Sequence, residues 1–407
     1  MLVPFLPPPR NAATDDFLGE IPRELFSDRL YEACELVERY VSDWAIAITQ
    51  RLDLEPELTR GTTVEELLAS RGYRVEESAA LAWLLLRLSE AGYLERSEEN
   101  AGQPSRHQFR RVREFPSPEL AELRTVGLAI DPAIAPTLAL LDAAGEAFPR
   151  VLTGAATGEQ ALFSGARMQL WLDYFHNGNP IYALNNRFAA IAAANRLRTP
   201  AGSEAGLRIL EVGAGAVSAA EALLDELRAR GRLGEISEYC LTEPNPMLRR
   251  RASRSLASRY PGLPLTDQAY DFDHAPAGQG LAEARFNLVF AVNVLHVARN
   301  LRASLLWLRS LLVPGGWLIG GECQRLFPQQ TIAVELIFEQ LRSFTQVELD
   351  PEVRSSHGFL SPEQWKRALV ATGFTDVVHV PELERIREYY ARFFSSAICA
   401  RRPEESS

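Results

Sequence analysis

Glu211-Val-Gly213-Ala-Gly215 places an acid two residues ahead of two closely spaced glycines. Glycines there let the backbone turn tightly and approach a ligand, and a helix is expected just beyond. A bound pyrophosphate wants the fuller Gly-x-Gly-x-x-Gly pattern. Ser218 occupies the third position instead, and the Glu211 carboxylate would repel phosphates. The acid suits a cationic ligand. Further on, Glu243 closes a second apolar run, where a carboxylate can accept hydrogen bonds from both hydroxyls of a ribose. Asp271-Phe272 closes a third, offering an acceptor for an adenine amino group and a ring for its face. A fourth, FNLVFAVNVLH, ends with Asn293 and His296. Each residue has a plainer use: two glycines in a structural turn, Glu243 as a solvated acid opening a helix, His296 as a capping or core histidine. Four run-ends in order, each with a contact to one nucleoside, weigh more together than singly.

The runs read as strands of an α/β sheet, LRILEVG, EYCLTEP, LPLTDQAYD, FNLVFAV and GWLIGGE, with helices such as SAAEALLDELRAR and LRASLLWLRSLL between them. That alternation means a parallel sheet covered on both faces, with ligands at the carboxyl ends of its strands. Upstream the texture is helical. Leu25, Leu30, Leu36, Val37, Tyr40, Val41 and Trp44 recur near helical spacing. Thr62 and Glu65 have capping-box spacing, and ESAALAWLLLRLSEAG is a third helix ending at Gly92. Two short strands around a polar loop follow, giving a winged-helix order. Trp83, Leu84, Leu85, Leu86 and Leu88 suit packing or dimerisation better than base contact. Gly178 and Pro180 should break the segment MQLWLDYFHNGNPIYALNNRFAAIAAANRL. The expected domains are an extended arm (1–16), a winged-helix-like dimerisation domain (17–115), a helical linker or lid (116–200) and the sheet-bearing domain (201–400).

With 407 residues, 46% hydrophobic and 24% charged, two folded domains are expected. The net charge of −10 disfavours nucleic acid as the main partner. No run reaches the roughly 18 apolar residues of a membrane helix, and the Pro-rich start does not read as a secretory signal. Cys34, Cys240, Cys323 and Cys399 lack metal-site spacing, so reduced thiols, a cytoplasmic location and no metal are expected.

LRILEVGAGAVSAAEAL, TEPNP and FNLVFAVNVLHVARNLRASLLWLRSLLVPGGWLIGGE resemble, in order, the motifs of class I S-adenosylmethionine-dependent methyltransferases. The core is similar to the C-methyltransferase domains of polyketide synthases, whose fourth strand reads as a variant of ANVLHATRN. ALFSG, HNGNPIYALNNRFA and GFLSPEQWKRALVATGFTDV extend the similarity from about 160 to 375. Small-molecule O-methyltransferases, which join a winged-helix domain to the same core, are a second resemblance. The family's glycine loop commonly has a third glycine where Val217 stands.

The resemblance implies a Rossmann-like fold and S-adenosylmethionine held by Glu211, Gly213, Gly215, Glu243 and Asp271, with Phe272 and Asn293 beside them. It implies His296 as general base, oriented by Glu322 at the end of the next strand. Physical chemistry agrees: methyl transfer from a sulfonium is an in-line displacement that needs alignment, and histidine is a suitable base near neutrality. Tyr174, His176, Tyr182 and Asn186 are candidates for the substrate side, although His176 could only cap a broken helix. His107, His274, His357 and His379 read as surface residues. Arg249, Arg250, Arg251 and Arg254 read as a solvated helix face or a phosphate-contacting patch.

The expected function is methylation of a small molecule, free or carrier-bound, in specialised metabolism by a homodimer. C-methylation has the closer motif match, O-methylation is favoured by the appended domain, and S- or N-methylation needs no base. A DNA-binding regulator with basic wing residues Arg106, Arg110, Arg111 and Arg113, an inactive partner subunit and an NAD-dependent dehydrogenase are weaker alternatives.

Overall fold

The computed structural model describes residues 18–97, 107–198 and 206–404. The expected N-terminal arm and Arg106 lie outside them. Among the described residues no helix is long and apolar enough to cross a membrane. The chain forms two compact units: Ser27–Tyr174 with Phe327–Gln346, and 18–26 with Phe175–Leu326 and Val347 onward.

The first unit is mainly helical. Helices Asp28–Arg51, Glu55–Arg60, Val64–Arg71 and Ser78–Glu90 lead into the antiparallel strands β1 (Leu94–Arg96) and β2 (Phe109–Arg111). Leu25 is not on the first helix but in a separate turn, Arg23–Leu25, because Ser27 accepts from Leu30 N and starts the helix there. The capping box also sits one residue later than its sequence spacing suggests, on Thr63 and Glu66. Thr62 is committed elsewhere, its backbone exchanging hydrogen bonds with Phe109 at 3.0 and 2.8 Å. Trp83, Leu84, Leu85 and Leu88 are buried, with Trp83 meeting Phe148 of helix Ala135–Leu152 at 6.3 Å. Their apolar area is spent inside the unit.

The later segment joins this unit through two carboxylates. Glu90 accepts from Thr331 N and Oγ1 at 2.9 and 2.6 Å, and Glu38, paired with buried Arg87, accepts from Ala333 N. Residues 327–346, expected within the sheet-bearing domain, therefore pack with the helices.

The second unit carries a seven-stranded sheet in the order β5-β4-β3-β6-β7-β9-β8. Its strands are β3 (Leu207–Val212), β4 (Ile236–Thr242), β5 (Leu265–Gln268), β6 (Phe286–Val292), β7 (Leu312–Cys323), β8 (Thr375–Val380) and β9 (Ser395–Arg401). From β5 to β7 the pairing is parallel, but β9 runs antiparallel to both β7 and β8. The sheet is thus mixed rather than wholly parallel. Residues 381–394 join β8 to β9 and contain the one-turn helix Leu383–Ile386. Strand β5 ends at Gln268, so Asp271 and Phe272 lie in the turn after it.

Helix Pro180–Arg196 belongs to this unit and not to a linker. It begins with proline at its first turn, where the missing N–H costs nothing. It crosses the sheet at Gly321, where a Cβ would sit 2.6 Å from Asn185 O. Glycine is what allows so close an approach. A hydrophobic core cluster runs from Leu210, Phe286 and Val289 to Leu305, Leu308 and Trp365.

Candidate active site

The strand order reverses between β3 and β6, which are direct neighbours. In open α/β sheets the crevice outside the carboxyl ends at such a point holds ligands. Glu211 and Asn293 come from these two strands' ends, Glu243 follows β4, and Glu322 is the penultimate residue of β7.

The loop after β3 needs its glycine. Gly213 has φ +70°, and a Cβ there would lie 2.4 Å from Val294 Cγ2. Gly215 has φ +45° with only Gly213 O within 4 Å, at 3.7 Å, so space is left open above it. Val217, which replaces the family's third glycine, nonetheless adopts φ +77° at the head of helix Ser218–Ala229. A β-branched residue in that region is strained. The backbone therefore keeps a glycine-like path without the glycine.

Glu211 and Glu243 lie at this loop, and Asp271 in the turn after β5. Glu211 is buried and accepts from the Tyr239 hydroxyl at 3.1 Å. Burial pushes its carboxyl up to about 8, opposed by the Tyr239 hydroxyl and the Ala220 backbone N–H. Glu243 accepts from Gly215 N at 3.1 Å and from Asn245 N at 2.9 Å, tying the ends of β3 and β4 together. Asp271 is partly exposed and accepts from Asp273 N, and its Oδ2 lies 3.0 Å from His274 Nδ1. The Gln279 side chain brackets the Asp271 backbone, accepting from its N–H and donating to its carbonyl, both at 2.8 Å. Phe272 packs on the core cluster. Carboxyl acceptors beside an open glycine turn suit a nucleoside with free hydroxyls and not a pyrophosphate.

His296 lies on the single turn Leu295–Val297 after β6. It is 4% exposed and its Nδ1 is 2.7 Å from Oε2 of Glu322, itself 0% exposed. Glu322 Oε1 accepts from Leu295 N at 2.8 Å and Val294 N at 3.2 Å. One carboxylate thus fixes both the ring and the turn beneath it. Because a carboxylate only accepts, the contact assigns the proton to Nδ1 and makes Nε2 the basic nitrogen. The Phe359 ring covers the imidazole at 4.7 Å.

Asn293 has φ +52° and donates its backbone N–H to Gly321 O at 2.7 Å. Its Oδ1 accepts from Asn185 Nδ2 at 3.0 Å. Tyr182 borders the same group: burial pushes its hydroxyl up to about 12, with hydrogen bonds from Asn293 and Ser218 opposing. Asn186 is fully buried and donates to Asn177 Oδ1, whose own amide reaches Ser218 O, both at 2.8 Å. His176 is exposed and its Nδ1 accepts from Gly178 N at 2.9 Å, which makes it a turn-holding residue before helix Pro180–Arg196. Tyr174 belongs to the helical unit, edge-on to Trp171 at 6.3 Å.

Asn185, which meets Asn293, and Phe359, which meets His296, were not singled out from the sequence. Asn185 has a visible signal, an adjacent amide in a helix otherwise rich in alanine. Phe359 has none, since it reaches His296 from 63 residues away.

Residues 184–380 match the family model described as a methyltransferase domain. The highly reducing polyketide synthase valA of Aspergillus terreus is 32% identical over 245 residues, which is 58% of this chain and 9% of that protein. The chain thus spans about a tenth of the curated relatives it matches. The DszA carbon methyltransferase aligns with 25% identity over 99% of this chain and 98% of its own, at a TM-score of 0.74. The CurJ carbon methyltransferase shares the fold at a TM-score of 0.77, with 23% identity over 96% and 98% of the two chains. Residues 184–380 therefore match a methyltransferase domain, and the chain has the Rossmann-like fold of the carbon methyltransferases DszA and CurJ.

Proposed function

We propose that the protein methylates a carbon acidified by flanking carbonyl groups, with His296 as the base and Glu322 as its partner. The acceptor is a small molecule of polyketide type, presented free or as a thioester on a carrier protein. The observation that carries this reading is the buried 2.7 Å contact between His296 Nδ1 and Glu322 Oε2. A methyltransferase whose acceptor arrives as a nucleophile needs no such dyad, whereas a carbon acid must lose a proton.

Glu243 would hold the ribose hydroxyls, Glu211 would bring a buried carboxyl group to the end of β3 beneath the glycine loop, and Gly213 and Gly215 would let the backbone approach. Asp271 and Phe272 would take the adenine, and Asn293 would lie beside the cofactor. When bound, S-adenosylmethionine supplies a methyl group on a sulfonium, which the acceptor carbon displaces in line to leave S-adenosylhomocysteine. His296 Nε2 takes the acidic C–H proton, while Nδ1–H stays on Glu322. The buried carboxylate stabilises the imidazolium that forms, by the logic of catalytic triads. Tyr182 and Asn186 lie on the helix beside this group and are assigned to the acceptor side.

The test is calorimetric titration with S-adenosylmethionine and S-adenosylhomocysteine, followed by turnover of a 3-ketoacyl thioester of N-acetylcysteamine. Glu243→Ala removes hydrogen bonds to a charged group worth about 1.5–3 kcal/mol each, so affinity should fall by about 10²-fold or more. Methyl transfer to carbon in the product supports the proposal. Transfer to an enolic oxygen would move the reading to O-methylation, and no binding by folded protein would end it.

A further inference from the structure

We infer that Arg354 is a positioning residue for the base, its guanidinium fixing the one-turn segment that carries His296. This rests on the reading of His296 as the base.

Arg354 is 0% exposed and is among the largest fully buried side chains of the chain. Its donors all go to backbone carbonyls. Nη2 donates to His296 O at 2.5 Å and Gly358 O at 3.2 Å, Nη1 to Ala298 O at 2.7 Å, and Nε to Ser356 O at 3.3 Å. The first and third acceptors flank Val297, on the turn whose other side is held by Glu322. His296 is thereby pinned twice, through its ring and leading N–H groups by Glu322 and through its carbonyl by Arg354.

The surrounding segment is built to keep the guanidinium there. Asp350 and Arg354 exchange backbone hydrogen bonds at 2.7 and 2.9 Å. Arg302, on the helix Leu301–Leu311 that follows the histidine turn, binds Asp350 Oδ2 at 2.7 Å. Glu348 N donates to Arg299 O at 2.8 Å. Residues 348–359 therefore clasp the turn from Glu348 to Phe359, whose ring lies 4.7 Å from the imidazole.

A purely packing role does not account for this side chain. Burying a guanidinium against neutral carbonyls is costly, and an apolar residue of similar volume fills a core more cheaply. Burial pulls the Arg354 guanidinium down to about 10, with the Glu322 charge opposing. What a hydrocarbon could not do is satisfy the carbonyls of a turn that leaves helical geometry at once. The rigid fork of arginine reaches several of them in one plane.

The experiment uses the full chain and the variants His296→Ala, Arg354→Met, Arg354→Lys and the His296→Ala/Arg354→Met pair. Turnover is read with the N-acetylcysteamine thioester and affinity by calorimetry with S-adenosylhomocysteine. Misplacing a catalytic group by about 1 Å costs about 10²-fold in rate, so Arg354→Met should lose about that in kcat. Its affinity should stay within about threefold, since no carbonyl it holds lies on the cofactor loop. The pair should turn over no more slowly than His296→Ala, because a residue acting through the base has nothing left to position. Hydrogen exchange should quicken at residues 294–299 in Arg354→Met and not at 207–217.

A kcat within about threefold of wild type, or losses that multiply in the pair, would overturn the inference. Should Arg354→Met fail to fold, Arg354→Lys decides. It keeps the cation and most of the volume but not the fork, so wild-type turnover would overturn the inference and a kcat-only loss would support it. Wild-type turnover in His296→Ala would instead remove the base reading, and this inference with it.

Discussion

Replacing Glu322 by glutamine changes one atom at the centre of the dyad. Glutamine keeps an oxygen for Leu295 N and Val294 N, so the turn should remain in place. It puts an NH2 group where Oε2 accepts from His296 Nδ1 at 2.7 Å. The neutral ring then gains by exposing Nδ1 as the acceptor and moving its proton to Nε2, which is the wrong tautomer for a base. The larger loss is electrostatic. Two unit charges 2.7 Å apart at an effective dielectric constant of about 20 attract by about 6 kcal/mol. With the proton about half transferred, roughly 3 kcal/mol of that attraction exists in the transition state and not before, which is about 10²-fold in rate. The assay is the initial rate of S-adenosylhomocysteine release from the 3-ketoacyl thioester, with cofactor affinity measured on the same protein. The expected outcome is a fall in kcat of about 10²-fold with affinity within about threefold. If Glu322→Gln turns over at the wild-type rate while folded and able to bind cofactor, the imidazolium is not stabilised by this carboxylate and the dyad reasoning is wrong.

Two further predictions concern the glycine loop after β3 and the acid at its head. The Glu211 carboxyl is raised from 4.5 to about 8 by burial, so the folded state holds its proton more tightly than the unfolded chain does. Its contribution to stability is therefore complete below pH 4.5 and lost as pH rises towards 8. Ligand-free protein should melt at progressively lower temperature across that range, and Glu211→Gln should flatten the decline; parallel curves for the two proteins would disprove the assignment. Gly213→Ala places a Cβ 2.4 Å from Val294 Cγ2 at φ +70°. Left-handed backbone costs about 1–2 kcal/mol and overpacking about 1–3 kcal/mol. Adding Val294→Ala should recover the overpacking part of the loss in denaturant midpoint but not the backbone part. No recovery would mean that the clash is not the cause.

Much of the site was legible along the chain because it rests on local signals. An acid before closely spaced glycines, a carboxylate after the next strand and a histidine after the fourth are each defined within a few residues, and each sits at a strand end. Where local signals competed, neighbours decided. Thr62 and Thr63 are equally good caps by type, and the bridge from Thr62 to Phe109 gives the cap to Thr63. His176 has the look of a ligand, yet the Gly178 N–H two residues on occupies its Nδ1. The third strand ends earlier than its apolar pattern suggested, leaving Asp271 to a turn bracketed by Gln279.

The sequence by itself determined the strand-and-helix alternation, the glycine turn and the kinds of residue offered at the strand ends, because hydrophobic period and backbone freedom are properties of short stretches. Only the tertiary structure decided what those residues meet. Laying β7 beside β6 brings Glu322 onto His296 across 26 residues, and β9 pairs antiparallel with both β7 and β8. Arg354 reaches the carbonyl of His296 from 58 residues away. Partners at such separations leave no mark in a local pattern. They are chosen by the packing of the whole sheet.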